Sequence, residues 1–173
     1  MTPAFMRASL EGDLKAAERH CGLTLPGTWP TIRTVLAMRL AQLEADPTLQ
    51  PWLLRAIGHQ QTHAMVGHIG FHTAPGADYL KPWCPGAVEF GYTVFPAHRR
   101  RGYAREASVA LMRWARDHHD VTRFVVTISP DNAASHALAA GLGFVRVGVH
   151  QDEVDGLEDV LVLNTEPTPR SGL

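Results

Sequence analysis

Apolar residues recur at helical spacing through the first 45 residues, at Leu10, Leu14 and Ala17 and again at Val35, Leu36, Leu40 and Leu43, with residues 22–30 between the two sets. Two N-terminal helices are the expectation. From Pro51 the period shortens: Trp52, Leu54 and Ala56 alternate with Leu53, Arg55 and Ile57, and a second extended run, residues 64–71, follows residues 59–62. These runs predict a hairpin of two strands. Gly86 precedes a third strand, residues 87–95, which Pro96 ends because proline lacks the N–H that a ladder needs. After Arg99-Arg100-Arg101-Gly102, the residues Tyr103, Ala107, Ala110, Leu111, Trp114 and His118 fall on one face of a helix that closes near Asp120.

Residues 123–128 are almost continuously apolar, the pattern of a strand covered on both faces. Strand, crossover helix and strand together make a parallel pair. Asp131 or Asn132 can cap a further helix through Ala140, residues 141–143 stop it, and strands at 144–149 and 157–163 flank a turn at Asp155-Gly156. The expected class is α/β, a mixed and mostly antiparallel twisted sheet of about six to seven strands with a central parallel pair, flanked by about four helices. Residues 1–164 read as a single domain, and 165–173, rich in Pro and Thr, as a flexible tail.

Composition narrows the function. A chain of 173 residues, 45% hydrophobic, suits one soluble globular domain. Lys+Arg 16 against Asp+Glu 17 gives a net charge of -1, so there is no general field to hold nucleic acid or an anionic membrane. Cys21 and Cys84 cannot build a disulfide framework, and neither sits in a Cys-x-x-Cys pair, which fits a reducing, cytoplasmic compartment. With no leader-like apolar segment at the start and no uninterrupted apolar run of about 18 residues, neither export nor a membrane span is expected.

The chemistry concentrates in residues 94–104, VFPAHRRRGYA, where a strand passes through an arginine-rich turn into a helix. Such a turn presents unpaired backbone N–H groups and the positive end of a helix dipole, which together suit an anion. Three arginines add cationic reach, and Gly102 and Ala104 leave the backbone open to a phosphate oxygen. The same residues would also serve as a solvated loop at a helix start, and the triplet alone does not choose.

Arg99-Arg100-Arg101-Gly102-Tyr103-Ala104 resembles the R/Q-x-x-G-x-G/A signature of the GNAT superfamily, the acyl-CoA-dependent N-acyltransferases. The preceding Val88-Glu89-Phe90-Gly91-Tyr92-Thr93-Val94 resembles that family's fourth strand, and Val66-Gly67-His68-Ile69-Gly70-Phe71 its third. Asn132-x-x-Ser135, with Leu138 and Gly143-Phe144, resembles its second motif at the matching distance. Leu10-Glu11-Gly12-Asp13 and the segment EFGYTVFPAHRRRGYAREA further resemble the branch that contains the ribosomal-protein N-terminal acetyltransferases. The resemblance implies a GNAT-like fold and acetyl transfer from acetyl-CoA to a primary amine by direct attack in a ternary complex. A protein N-terminal α-amine is favoured, with a small-molecule amine such as an antibiotic or polyamine, or a non-catalytic acyl-CoA-binding regulatory module, as the alternatives.

The resemblance also implies roles. Arg99, Arg100, Arg101, Gly102, Tyr103 and Ala104 would hold the CoA pyrophosphate, a main-chain N–H near Val94 and Phe95 would serve the developing oxyanion, and Asn132 would bond the pantetheine arm. Glu89 is the candidate base, directly or through water; the alternative is a strand carboxylate paired with an arginine. His68 is a second candidate, against a packed or solvent-facing strand histidine. Ser135, one helical turn past Asn132, is placed to meet the departing thiolate, against an Asn cap beside a surface serine. Many relatives carry a tyrosine acid where this chain has Ala139, so a phenol cannot act from there. No metal is expected: His59/His63 and His68/His72 have i, i+4 spacing, but strand geometry would hold such pairs about 13 Å apart. Monomer and homodimer both remain open.

Overall fold

The computed structural model describes residues 1–152 and 156–165. Asp155 of the expected turn and residues 166–173 of the expected tail lie outside these. Thr2 opens α1 (Pro3–Glu11) by accepting from the Phe5 N–H, and Gly12 closes it at φ 83. Asp13 then caps α2 (Leu14–Cys21) by accepting from the Ala16 N–H. The one helix read through Leu10, Leu14 and Ala17 is therefore two, because a left-handed glycine and a capping aspartate break the ladder without disturbing the apolar spacing. With α3 (Arg33–Ala45), α4 (Tyr103–His119) and α5 (Ala133–Leu142) the described helices number five against about four expected.

Six strands form one sheet in the order β1-β2-β3-β4-β6-β5. β1 (Arg55–Gly58) and β2 (Met65–Phe71) are antiparallel, with Arg55 opposite Ile69. The first strand starts later than expected because Trp52, Leu53 and Leu54 are buried outside it, just past the short 3-10 turn Pro47–Leu49. β3 (Val88–Val94) and β4 (Arg123–Ile128) form the parallel pair, in register at Val88↔Phe124 and Glu89↔Val125. β6 (Gly156–Asn164) runs antiparallel to all of β4, and β5 (Val145–Asp152) antiparallel to β6. The mixed sheet with a hairpin at each end is as the sequence pattern anticipates.

Contacts divide the chain into two compact units, Met1–Gly70 with Tyr92–Tyr103, and Phe71–Gly91 with Ala104–Leu173. The first has a core of Phe5, Met6, Trp29, Leu36, Met65 and Phe95, in which the Trp29 indole donates to Ser9 Oγ at 2.9 Å. The second has a core of Leu80, Ala87, Val125, Val160 and Val162, and a chain of aromatic contacts through Trp114, Phe71, Phe90 and Phe144. α4 buries Ser108, Leu111, Met112 and Ala115. Of the face expected at Tyr103, Ala107, Ala110, Leu111, Trp114 and His118, Leu111 is buried, while Ser108, Met112 and Ala115 beside it are buried in place of Ala107 and Ala110.

Candidate active site

β3 carries Glu89 at the last recorded position of the parallel register, with its side chain 5% exposed. A carboxylate so withdrawn from water needs donors. Thr127 Oγ1 on β4 donates to Oε1 at 2.7 Å, and the Tyr79 hydroxyl, on the 3-10 turn Asp78–Leu80, donates to Oε2 at 2.9 Å. His72 Nδ1, one residue beyond β2, lies 3.3 Å from the same Oε2. The main chain reinforces the pairing, because the His72 N–H donates to the Glu89 carbonyl at 2.8 Å. Burial pushes the Glu89 carboxyl up, but the His72 hydrogen bond and charge, with the bonds from Thr127 and Tyr79, outweigh it and hold the group below its ordinary value. The partner set is a histidine, a phenol and a hydroxyl rather than the arginine considered from sequence.

In the same unit Asn132 Oδ1 accepts from the Ser135 N–H at 3.1 Å and so caps α5. That bond uses the amide oxygen and not the Asn132 side-chain N–H donors, and the residue is exposed. Ser135 is half-buried and Ala139 is buried. Ala104, the last residue of the arginine-rich motif, stands in the first turn of α4.

The other unit carries the remaining sequence candidates. His68 is 7% exposed, with Trp29 and Phe95 rings at centroid distances of 6.5 and 6.3 Å. Its Nε2 is buried with no hydrogen-bond partner among the described residues, and burial lowers its pKa from 6.5 to about 4. A neutral packed imidazole results. The Phe95 N–H is donated to Val66 O at 2.9 Å. Since successive strand residues direct their backbone groups to opposite edges, the Val94 N–H points away from β2.

Beyond β3 the chain makes a 3-10 turn (Pro96–His98) and enters the arginine triplet. Arg99 Nε donates back to Val94 O at 3.1 Å, and all three arginines are exposed. Arg100 at φ 62 and Gly102 at φ 85 are both left-handed. A non-glycine residue held there is uncommon, and among the described residues Arg100 shares it with His63 and Asp120. Tyr103 is braced by His59 and His98, with ring centroids 5.9 and 6.5 Å away. Exposed guanidinium groups on a tightly wound backbone are a donor set suited to phosphate.

Residues 6–145 match the family described as acetyltransferase (GNAT) domain. The chain belongs to the GNAT family. Among relatives of this GNAT protein, the Bacillus subtilis protein YjdG, named as an N-acetyltransferase, is 30% identical over 134 residues, covering 75% of this chain and 74% of that protein. Among solved structures, yncA of Salmonella typhimurium, described as an acetyltransferase with its cofactor acetyl-CoA, is similar in fold with a TM-score of 0.61 at 23% identity, covering 96% of this chain and 91% of that one. A ribosomal-protein-S5-alanine acetyltransferase from Vibrio fischeri has a TM-score of 0.62 at 15% identity, covering 98% and 93%. The GNAT protein is accordingly an acetyl-CoA-dependent acetyltransferase. Among the described residues no helix is long and apolar enough to cross a membrane.

His72, Tyr79 and Thr127 are the members of this candidate site that sequence reasoning missed. His72 entered it only as half of a metal pair with His68. Tyr79 and Thr127 carry no motif, and only the register of β2, β3 and β4 brings them to one carboxylate.

Proposed function

We propose that this GNAT enzyme acetylates a protein N-terminal α-amine by direct attack of the amine on acetyl-CoA. The observation that carries the reading is the Glu89 carboxylate, kept anionic by His72, Tyr79 and Thr127. An anionic carboxylate can take up an amine's proton, and an amine that is already largely neutral asks least of it. An α-amine, with a pKa of about 7.7 to 8.0, is such an amine, whereas a Lys side chain at about 10.4 is not. The activity named for the Vibrio fischeri protein, on an alanine of ribosomal protein S5, points the same way.

In this reading Arg99, Arg100, Arg101, Gly102, Tyr103 and Ala104 bind the pyrophosphate, and the Asn132 amide bonds the pantetheine arm. The Val94 N–H donates to the charge developing on the acyl oxygen; Phe95 is left out of that role because its N–H is held by Val66. Ser135 donates to the departing sulfur, a task that Ala139 cannot perform. Glu89 anchors removal of the amine proton, directly or through an intermediary. Acetyl-CoA supplies the activated thioester.

The test is acetylation of a panel followed by mass spectrometry: peptides opening with Ala and with Ser, a peptide with a blocked N-terminus and a free Lys, and spermidine. The expected result is a kcat/KM at least about tenfold higher for the α-amines. A preference for spermidine would replace the protein acceptor with a small amine. Binding of acetyl-CoA with no acetylated product would support a regulatory module instead.

A further inference from the structure

We infer that His136 is a positioning residue for the acyl donor: its ring closes onto Asp159 when Asn132 and Ser135 engage acetyl-CoA, and binding takes up a proton from solvent. This rests on the pantetheine role given to Asn132 above and adds the group that sets Asn132 in place. All of these residues belong to the unit Phe71–Gly91 with Ala104–Leu173.

The helix that Asn132 caps is lightly held. α5 reads AASHALAAGL, Ala139 is its buried residue, and His136 is its single ionisable side chain. Small side chains give little dispersion grip. Toward its C-terminal end Arg105 of α4 donates to Gly141 O at 3.0 Å. Near its start His136 Nε2 stands 3.7 Å from Asp159 Oδ2 on β6. That is too long for a hydrogen bond, and Nε2 is buried with no hydrogen-bond partner among the described residues. A buried polar atom left unpaired costs free energy, which a closer approach recovers. The carboxylate is ready for it, because Arg146 Nε on β5 donates to Oδ1 at 2.7 Å and fixes the group with Oδ2 beside His136.

The ring is one backbone hydrogen bond away from the cap. The His136 N–H donates to the Asn132 carbonyl at 3.1 Å, and Asn132 Oδ1 accepts from the Ser135 N–H at 3.1 Å. A shift that brings His136 to about 2.8 Å from Asp159 therefore carries Asn132 and Ser135 with it.

The charged and titratable groups facing His136 are Asp159 from β6 and, through that carboxylate, Arg146 from β5. β4 places the apolar Ile128 opposite Asp159, and Arg105 on α4 bonds the far end of α5. A carboxylate brought closer favours the imidazolium, so the bound form holds the proton more firmly than the free form. Binding then tightens as pH falls through the range in which His136 titrates, and by reciprocity proton uptake accompanies binding.

Isothermal titration of acetyl-CoA in two buffers of different ionisation enthalpy reads that proton directly. Wild type, His136→Leu, His136→Gln, Asn132→Ala and the His136→Leu/Asn132→Ala double variant would be compared, with circular dichroism confirming the fold of each. Wild type is expected to take up a fraction of a proton near neutral pH, and to bind about fivefold more tightly near pH 6 than near pH 8. His136→Leu is expected to weaken binding about tenfold, whereas His136→Gln, which keeps a donor for Asp159, retains most of the affinity without the proton uptake. In the Asn132→Ala background His136→Leu is expected to have little further effect, since the two residues act as one unit. No proton uptake by wild type, uptake unchanged in His136→Gln, or independent losses in the double variant would each overturn the inference. If Asn132→Ala binds acetyl-CoA as wild type does, the pantetheine role falls and takes the inference with it; if Asn132→Ala weakens binding and His136→Leu does not, the inference alone is removed.

Discussion

His68 and His72 stand four residues apart on one stretch of chain, yet each meets the opposite of the other's surroundings. His68 is packed among Trp29 and Phe95, with its Nε2 lacking a hydrogen-bond partner among the described residues and its proton affinity lowered by burial. His72 is 40% exposed and set against a carboxylate that three side chains hold in place. One ring packs in an aromatic cluster, and the other has its Nδ1 beside a carboxylate. Residue type is shared, but His68 lies within β2 among aromatic rings and His72 one residue past its end beside Glu89. A histidine becomes chemically useful where its neighbours fix its tautomer, not where they bury it.

The contrast can be broken most severely at its carboxylate. Glu89→Ala takes the acceptor from Thr127, Tyr79 and the partly exposed His72, and should cost about 3 kcal/mol in chemical denaturation. Glu89→Gln, which keeps one acceptor, should cost about 1 to 3 kcal/mol.

Acid should separate the two environments next. His68 binds a proton less readily folded, at about 4, than unfolded, at 6.5. As pH falls below 6.5 the unfolded chain takes up the proton first, so stability declines from there to about pH 4, by on the order of 3 kcal/mol. His68→Leu should flatten that window in denaturation curves collected across it. The Glu89 carboxyl is shifted below 4.5, so its contribution is complete above that value and is lost only at lower pH. A slope between pH 6.5 and 5 that persists in His68→Leu would assign the effect to another group.

Smaller changes sharpen the same contrast. Tyr79→Phe removes one charge-assisted donor and should cost about 2 kcal/mol in stability. Gly91→Ala, whose Cβ would stand 3.2 Å from His72 Nε2, should cost about 1 kcal/mol in stability.

Much of the fold was legible because it depends on local patterns. The parallel pair followed from the apolar run at 123–128 behind a long amphipathic helix, and the start of α5 from Asp131 or Asn132, of which Asn132 is the cap. The break between α1 and α2 was written in Gly12-Asp13, but helical spacing across it concealed the turn. The Glu89 cluster was only partly legible. Glu89 stood out on its strand, whereas His72, Tyr79 and Thr127 reach it through cross-strand register and the course of the segment between β2 and β3, neither of which a periodicity encodes. Likewise, nothing in the sequence reserved the Phe95 N–H for Val66; the antiparallel pairing does so.

Whether residues 99–104 hold the acyl donor is read most directly by thermal unfolding with and without acetyl-CoA, with ATP and NAD as anionic controls. Wild type, Gly102→Glu and Gly102→Ala would be compared, the last carrying the backbone strain of a left-handed position without the carboxylate. At 100 times its dissociation constant acetyl-CoA should stabilise wild type by about 2.7 kcal/mol, or about 5 to 11 °C. That shift should persist in Gly102→Ala, vanish in Gly102→Glu, and be absent with ATP or NAD. No shift in wild type, or an equal shift in Gly102→Glu, would contradict the assignment of this turn as the acetyl-CoA cradle.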